Sequence, residues 1–311
     1  MPVIAFGTGS KWKGKARLCL RGAPLAFTER ATTALQDVTD YVIQAVETGF
    51  SHIDTAQWYQ TEDGVGDAIR ESALDRRELY LTTKWSGLTT IPEAIDNSLK
   101  ELGVKYVDLY LIHNPRQVED LEQAWREFEK IKETGLSKSI GVSNFNVQQL
   151  QQIVKIAKFK PAVNQILFHP YNYAENKELL EYSAKHGIIT EAYSSLTPIT
   201  RYPGGPVDAP LKAAADRLNA TPVQVLLSWV RSKGVAIVTT SSTKGHLEEY
   251  LEVADLPSLT EEEIAAIDEA GAKGPSGSVL KRLHRNKYIL AVALLLAVLV
   301  VMLMEYAAPK L

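Results

Sequence analysis

Apolar, β-branched runs alternate with amphipathic helical patterns along most of this 311-residue chain. The predicted strands are Val3–Gly9, Ser51–Ala56, Leu79–Trp85, Val107–His113, Ser139–Asn144, Ala162–Leu167, Ile188–Ser194 and Val235–Thr240. The predicted helices include Leu35–Glu47, Ile91–Leu102, Leu121–Thr134, Val147–Lys158, Asn176–His186 and Pro222–Ser232. Near-continuous apolar strands with helices between them are typical of a parallel sheet that is covered on both faces. The order of the elements therefore predicts a (β/α)8 barrel.

A doubly wound sheet is the other architecture that this alternation allows. Such sheets usually carry a glycine-rich phosphate-binding fingerprint after the first strand. Here Gly7-Thr8-Gly9 is followed by Trp12, where the third glycine of that fingerprint belongs. The sequence therefore favours the barrel over the doubly wound sheet.

Two local features mark the two ends of the barrel pattern. A basic, irregular segment, Lys13–Arg30, separates the first strand from the first helix. It is either a loop over the barrel mouth or a misread part of the translated sequence. Near the other end, Thr260 and Glu263 form a capping-box pattern ahead of Ile264–Ala270. Because Gly271 suits the position that follows the last helical residue, we expect the helix to stop there.

The C-terminal segment differs in composition from the rest of the chain. Ile289–Met304 contains no charged, amide or hydroxyl side chain. The basic residues that precede it are Lys281, Arg282, Arg285 and Lys287. A buried last helix of the barrel would normally keep a polar face, whereas this segment is apolar all round. We therefore predict a barrel domain over residues 1–275, a basic linker over 276–288 and one transmembrane anchor over 289–308.

The basic flank and the length of the apolar segment predict where the protein is located. Positive charge on the N-terminal side of a span places that side in the cytosol. A helix over Ile289–Met304 would be about 24 Å long at about 1.5 Å per residue. That length is close to the endoplasmic reticulum bilayer of about 27 Å. Because seven residues follow Met304, we expect a tail anchor in that membrane, with the barrel in the cytosol.

Composition excludes several classes of function. A net charge of −3 argues against nucleic-acid binding. Cys19 is the one cysteine, which excludes an intrachain disulfide and multi-cysteine metal sites and favours a reducing compartment. The six scattered histidines do not form the ligand clusters of a metal-dependent barrel hydrolase. We expect a small-molecule substrate, no nucleic-acid partner and no bound metal, and we also expect the barrel domain to be monomeric.

Four polar residues are placed at the carboxyl ends of predicted strands or just beyond them. Asp54, Lys84 and His113 lie at or beside the ends of the second, third and fourth strands. Tyr59 follows Asp54 in the next loop. The carboxyl ends of barrel strands meet on one face, which is where enzymes with this fold work. Each residue alone would more often be structural, but we expect the four to share one rim.

Together these residues have the properties of a proton-donating group. An ammonium within about 4–6 Å of a phenol favours the phenolate and lowers the phenol pKa, which is ordinarily about 10. Asp54 would keep Lys84 charged and in place. Neutral His113 could hydrogen-bond a substrate carbonyl oxygen and orient it towards Tyr59. This arrangement suits the reduction of a carbonyl group by hydride from a nicotinamide cofactor.

The motifs around these residues resemble those of the aldo-keto reductases, in that family's order and over about residues 3–270. They are His52-Ile53-Asp54-Thr55-Ala56 with Tyr59 and Glu62, Thr83-Lys84, Leu109–His113, Gly141–Phe145, Val163-Asn164-Gln165 and Ala192-Tyr193-Ser194. The resemblance implies a TIM barrel with a catalytic Asp–Tyr–Lys–His tetrad in which Tyr59 donates the proton. Fungal members that reduce α-keto amides and related α-dicarbonyl compounds carry a run like Val238–Ser242.

The resemblance also assigns residues to a nicotinamide cofactor. Those that would contact its nicotinamide and pyrophosphate are Ser143, Asn144 and Gln165 at the carboxamide, Tyr193 on the ring, and Ser194 and Leu196 at the pyrophosphate. Many members grip the adenosine 2′-phosphate with lysine, serine and arginine, where this chain has Thr240, Ser241 and His246. Lys244 could substitute as a point charge, although it lacks the fork of an arginine. We therefore expect a modest preference for NADPH, with NADH as a second cofactor.

The expected substrate contacts are His113, Trp12, Trp85 and Asn114, the last at a position where a tryptophan is common in the family. A non-enzymatic NAD(P)-binding regulatory barrel is the alternative function. Its cofactor residues would be the same, but a sensor needs no tuned proton donor. The intact tetrad therefore favours an NADPH-dependent oxidoreductase that acts on carbonyl groups.

Overall fold

The structure, a computed structural model, describes residues 1–9, 38–72 and 74–275. Its strands form a closed barrel in chain order, in which each strand pairs in parallel with its neighbours. The strands are β1 (Ile4–Gly7), β2 (His52–Asp54), β3 (Tyr80–Trp85), β4 (Val107–Ile112), β5 (Ser137–Ser143), β6 (Val163–Leu167), β7 (Ile189–Tyr193) and β8 (Ala236–Thr239). The predicted barrel is confirmed, and each predicted strand boundary lies within about two residues of the observed one.

Helices follow most strands and cover the outside of the barrel. They are α1 (38–48), α2 (Glu62–Glu71), α3 (Ile91–Leu102), α4 (Leu121–Glu133), α5 (Val147–Ile156), α6 (Tyr173–His186), α7 (Thr197–Arg201), α8 (Asp208–Leu218), α9 (Pro222–Ser232), α10 (Lys244–Leu251) and α11 (Glu261–Ala272). The sequence predicted α3 and α9 with these bounds but missed α2, whose glycines weaken the helical pattern. Gly66 is required there by packing, since a Cβ at Gly66 would lie 2.4 Å from the carbonyl oxygen of Glu101.

The last described helix corrects one prediction about its end. The capping box is confirmed, because the Glu263 N–H donates to Thr260 Oγ1 at 3.2 Å and the Thr260 N–H donates to Glu263 Oε2 at 2.9 Å. The predicted stop at Gly271 is wrong, since Gly271 lies inside α11. A Cβ at Gly271 would lie 2.4 Å from the carbonyl oxygen of Pro170. This glycine therefore serves the close packing of α11 and does not end it.

Side chains of β4 divide between the inside and the outside of the barrel. Leu109 and Leu111 form a small apolar cluster with Val163 of β6. Tyr110 and Ile112, which alternate with them, belong to the large cluster beneath the helices. Alternate residues of a strand face opposite sides of a sheet. The small cluster therefore lies in the interior of the barrel.

Several predictions fall on residues outside the described part of the chain. They are the Lys13–Arg30 insertion, Trp12, the linker over 276–288 and the membrane anchor over 289–308. In residues 1–9, 38–72 and 74–275, no helix has the length and apolar character needed to span a bilayer.

Candidate active site

The predicted tetrad converges at the carboxyl ends of three neighbouring strands. Asp54 ends β2, Lys84 is the penultimate residue of β3 and His113 directly follows β4. Tyr59 is carried by a turn of 3₁₀ helix, Gln57–Tyr59, that follows β2. The structure therefore brings the four residues to one rim, as the order of the strands predicted.

A buried ion pair joins two members of the tetrad. Lys84 Nζ lies 2.6 Å from Asp54 Oδ1, and the exposed fractions of the two side chains are 0% and 3%. Lys84 Nζ also donates to the carbonyl oxygen of Thr55 at 2.9 Å. Burying either charge alone would be costly, so each depends on the other and on these additional hydrogen bonds. The ammonium is thereby held in one position below the rim.

Tyr59 packs between the buried ammonium and the imidazole of the tetrad. Lys84 Nζ lies 5.1 Å from the centroid of the Tyr59 ring. The His113 ring meets the Tyr59 ring edge-on, with centroids 5.4 Å apart. Gly9 makes room for the phenol, because a Cβ there would lie 2.6 Å from Tyr59 Cζ. A side chain at Gly9 would therefore displace the ring of the proposed proton donor.

The pKa of Tyr59 moves in the direction opposite to the one expected from its lysine neighbour. Burial raises the pKa of Tyr59 and Asp54 raises it further, while Lys84 lowers it without cancelling the rise. The expectation of a net lowered pKa is therefore corrected, since loss of hydration outweighs the ammonium. Burial lowers the pKa of Lys84, but Asp54 and its other anionic neighbours raise it above its ordinary value. At neutral pH Tyr59 thus holds its proton and Lys84 stays charged.

A second buried carboxylate, which the sequence did not indicate, extends this cluster across the barrel. Gln165 Nε2 donates to Asp54 Oδ2 and to Glu191 Oε2, each at 2.8 Å. Glu191 is fully buried on β7, and its Oε1 has no hydrogen-bond partner in the described part of the chain. A glutamate in the apolar β7 run was the available signal. Gln165, predicted at the nicotinamide carboxamide, therefore also joins two carboxylates with its amide nitrogen.

We expect Glu191 to make stability depend on pH in a way that the Glu191→Gln variant lacks. Burial, and then Asp54, raise the pKa of Glu191 from 4.5 to about 7. The folded state therefore binds this proton more tightly than the unfolded chain, and the stabilisation is complete below about pH 4.5 and lost as pH rises through about 7. The difference corresponds to roughly 3 kcal/mol.

Urea unfolding of both proteins between about pH 4.5 and 8 measures this effect. The wild type should lose stability relative to Glu191→Gln as pH rises from about 4.5 to about 7, and the difference should level off between about pH 7 and 8. The matched comparison removes contributions from other titrating groups, because these are shared by the two proteins. A difference that stays constant with pH would contradict the raised pKa of Glu191.

A cavity of about 280 Å³ adjoins the tetrad on the side of β7 and β8. Four of the residues predicted to bind a cofactor line it, namely Gln165, Tyr193, Ser194 and Leu196. Its other walls include Gly7, Gly9, Asp54, Tyr59, Thr197, Thr200, Arg201, Val238, Thr239, Thr240 and Tyr250. The cavity therefore connects the proposed proton donor with the region predicted to hold the cofactor.

Asn144 and Ser194 adopt left-handed backbone conformations beside this cavity, with φ of 65° and 58°. Such conformations are uncommon outside glycine and concentrate at functional sites. Tyr193 Oη donates to Asn144 Oδ1 at 2.8 Å, and Asn144 Nδ2 donates to Ser143 Oγ and to the His113 carbonyl oxygen, each at 3.0 Å. The predicted carboxamide and ring-stacking residues therefore form one hydrogen-bonded group next to the tetrad.

The residues predicted at the adenosine 2′-phosphate lie beyond β8. Ser241 Oγ lies 3.2 Å from His246 Nδ1 and accepts from the Thr243 N–H at 3.0 Å. Lys244 Nζ is 3.8 Å from Glu248 Oε1, and both side chains are exposed. Arg201 of α7, which the sequence analysis missed, lines the cavity itself. Arg201 thus places one cation on the cavity lining, whereas Lys244, the first residue of α10, is not among the lining residues.

The predicted substrate residues occupy different environments. Trp85 is buried, and its indole N–H donates to the Thr89 carbonyl oxygen at 2.9 Å. Asn114 Oδ1 accepts from the Arg116 N–H at 3.0 Å and so caps the following 3₁₀ turn. Trp58, which the sequence analysis missed, is 44% exposed beside Tyr59. Over the described ranges, no group of three or more histidine, cysteine or carboxylate side chains is arranged to hold a metal ion.

The sequence is similar to a known protein family and to individual fungal enzymes. The profile of the aldo/keto reductase family matches residues 21–202. The "NAD/NADP-dependent indole-3-acetaldehyde reductase" of Schizosaccharomyces pombe is 38% identical over 279 residues, which cover 88% of this chain and 92% of that protein. The "NADPH-dependent alpha-keto amide reductase" of Saccharomyces cerevisiae is 32% identical over 286 residues, which cover 87% of this chain and 88% of that protein.

Solved structures of the same family resemble this fold along most of the chain. A Bombyx mori aldo-keto reductase in complex with NADP superposes with a TM-score of 0.73 at 31% identity, covering 87% of this chain and 89% of that one. An aldo/keto reductase from Brucella melitensis gives a TM-score of 0.71 at 32% identity, covering 87% of this chain and 95% of that one.

Proposed function

Because this chain belongs to the aldo/keto reductase family, we propose that it reduces aldehydes and ketones to alcohols with NADPH. The observation that carries the proposal is the buried Lys84–Asp54 pair beside Tyr59 and His113. A regulatory barrel that only binds the cofactor would need no ammonium held beneath a phenol at the cavity. The relatives named above are reductases, which agrees with an enzyme and not with the regulatory alternative.

The residues around the cavity fit a nicotinamide cofactor. Gly7 and Gly9 leave one wall without side chains, and Tyr193 supplies an aromatic ring on another. Arg201 places a cation on the same lining, where it suits a phosphate group. When bound, the cofactor supplies the hydride for carbonyl reduction. Gln165, Asn144 and Ser143 are the residues we assign to its carboxamide.

Tyr59 supplies the proton in the proposed reaction. The carbonyl carbon gains hydride and the carbonyl oxygen gains the Tyr59 proton, so that the product is an alcohol and the phenol becomes a phenolate. Lys84 then stabilises that phenolate, because its positive charge lies 5.1 Å from the ring centroid in a buried site. The raised pKa of Tyr59 keeps the phenol protonated until a carbonyl oxygen accepts the proton. His113 binds the same oxygen and orients it.

We assign the substrates to α-keto and α-dicarbonyl compounds. Two observations support this class. The alpha-keto amide reductase of Saccharomyces cerevisiae is 32% identical over most of this chain. Val238, Thr239 and Thr240, from the run that resembles such enzymes, line the cavity beside the tetrad.

A substrate panel followed by NADPH oxidation tests the proposed activity. It should contain an α-keto amide, an α-keto ester, methylglyoxal and a simple aromatic aldehyde. We expect turnover of all four, with kcat/KM highest for the α-dicarbonyl compounds. No turnover of any member, in a protein that binds NADPH, would favour the regulatory barrel. Turnover of the aromatic aldehyde alone would retain the activity and contradict the substrate class.

We expect replacement of Arg201 and of Lys244 to affect NADPH and NADH binding differently. Lys244→Ala should weaken NADPH binding a few-fold and leave NADH unchanged, because an exposed cation reads the 2′-phosphate weakly. Arg201→Ala should weaken the binding of NADPH and of NADH by about tenfold each. Both cofactors contain the pyrophosphate, and a charged hydrogen bond to it contributes about 1.5 kcal/mol.

Fluorescence titration at two salt concentrations measures these affinities. Both losses should shrink at high salt, because added ions screen exposed charges. Lys212→Ala is the control, since Lys212 on α8 pairs with Asp216 in an exposed position. An equal loss of NADPH and NADH in Lys244→Ala would show that Lys244 does not read the 2′-phosphate.

We further propose that residues 289–308 anchor the barrel to the endoplasmic reticulum membrane, with residues 1–275 in the cytosol and 276–288 as the basic linker. The support is the uncharged Ile289–Met304 run and the basic residues before it. The full chain should remain in the membrane pellet after carbonate washing, and deletion of residues 288–311 should release a soluble reductase. Extraction of the full chain by carbonate, or unfolding of the truncated one, would contradict the anchor.

A further inference from the structure

Ser86 lies directly beneath the imidazole of the tetrad, just after β3. Its side chain is buried, and its hydroxyl oxygen lies 3.0 Å from His113 Nδ1. The backbone N–H of Trp58 donates to the same oxygen at 3.1 Å. The Lys84 carbonyl oxygen lies 3.5 Å away. The serine oxygen therefore connects the loop that carries Tyr59, strand β3 and the imidazole.

The hydrogen atom of the Ser86 hydroxyl has two acceptors within reach. A hydroxyl has one hydrogen to donate, and here its oxygen already accepts from the Trp58 N–H. That hydrogen can go to His113 Nδ1 at 3.0 Å or to the Lys84 carbonyl oxygen at 3.5 Å. The shorter contact has ordinary hydrogen-bond length, whereas the longer one is at the limit. The shorter contact therefore favours donation from Ser86 to His113 Nδ1.

We propose that Ser86 is a positioning residue that holds neutral His113 in the tautomer with its proton on Nε2. A ring nitrogen that accepts a hydrogen bond carries no proton, so acceptance at Nδ1 leaves the hydrogen on Nε2. This inference rests on the proposed function for its consequence in catalysis, but the tautomer itself does not depend on turnover.

The tautomer decides whether the imidazole helps or opposes carbonyl binding. With hydrogen on Nε2, His113 can donate a hydrogen bond to the substrate oxygen beside Tyr59. With hydrogen on Nδ1, Nε2 would instead present a lone pair to the lone pairs of that oxygen. The backbone of His113 is fixed as well, since its N–H donates to the Trp85 carbonyl oxygen and its own carbonyl oxygen accepts from Asn144, each at 3.0 Å. Ser86 thus acts on the tautomer of this side chain, which these backbone contacts do not set.

Two variants and one spectroscopic measurement test the assignment. Ser86→Ala removes the hydroxyl, and Ser86→Thr keeps it. ¹⁵N NMR of histidine-labelled full-length protein distinguishes a protonated from an unprotonated ring nitrogen, and the His113 signals are identified by their loss in His113→Asn. NADPH affinity of each variant, from fluorescence titration, checks that the fold and the cofactor site are retained.

We expect the wild type and Ser86→Thr to show hydrogen on Nε2 of His113, and Ser86→Ala to show a mixture of tautomers. Ser86→Ala should lower kcat about tenfold, the equivalent of one hydrogen bond, with unchanged NADPH affinity. Ser86→Thr should keep most of kcat. Hydrogen on Nδ1 in the wild type would overturn the proposal, as would full kcat in Ser86→Ala or equal losses in both variants. If the wild type reduces no carbonyl compound, the proposed function fails, and the spectrum still decides the role of Ser86.

Discussion

Replacing Tyr59 by phenylalanine is expected to lower kcat for carbonyl reduction by about 10²–10⁴-fold, the usual effect of losing a general acid. The variant loses the transferable proton but keeps the ring, whose edge-on contact with His113 is preserved. The Lys84–Asp54 pair is made without the phenol oxygen, so the buried charges remain compensated. The affinity for NADPH should therefore be nearly unchanged while kcat falls.

Steady-state kinetics on an α-keto ester, together with fluorescence titration of NADPH, measures both quantities. Tyr202→Phe is the matched control, because Tyr202 undergoes the same change in an exposed position. Its kcat should equal that of the wild type. Wild-type kcat in Tyr59→Phe would show that another group donates the proton and that the tetrad assignment is wrong.

The rim that carries the candidate active site could be predicted from the sequence because strand order determines it. In a parallel barrel every strand ends on the same face, so Asp54, Lys84 and His113 needed only correct strand boundaries to be placed together. The register confirms this, since Asp54 pairs with Thr82 and Lys84 pairs with Leu111 in adjacent strands. The local hydrophobic pattern is sufficient to place such residues, because their position depends only on where the nearest strand ends.

Contacts across the barrel could not be predicted in the same way. Gln165 and Asp54 are 111 residues apart in the chain and meet through the barrel interior. Glu191 reads only as the charged residue of β7, and only the closed barrel shows that it shares the Gln165 amide with Asp54. The rise in the pKa of Tyr59 depends on burial, which no spacing of residues reveals. The sequence therefore indicated the members of the site but not the balance of charge among them.

The balance between the buried charges predicts a second large effect, a loss of stability in the Lys84→Met variant. Removal of Lys84 leaves Asp54 as a buried carboxylate whose charge has lost its partner. Breaking a buried ion pair from one side costs about 3–5 kcal/mol in the free energy of unfolding. Gln165 still donates to Asp54 but gives the same amide to Glu191. The loss should therefore grow above about pH 7, where Glu191 becomes charged in the wild type, because Lys84 favours that charge and the variant lacks Lys84. Urea unfolding at acidic and alkaline pH measures the dependence.

The double variant Asp54→Asn, Lys84→Met separates stability from catalysis. It removes both charges together, so most of the lost free energy of unfolding should return. Carbonyl reduction should be lost in Lys84→Met and should stay lost in the double variant. In both, the phenolate that forms at Tyr59 lacks the ammonium that stabilises it. Recovery of kcat in the double variant would show that Lys84 serves only to compensate Asp54. Unchanged stability in the single variant would contradict the cost expected for the Asp54 carboxylate without its partner. We thus expect that neutral residues can replace Asp54 and Lys84 together without a large loss of stability. Proton transfer, in contrast, should require the ammonium of Lys84.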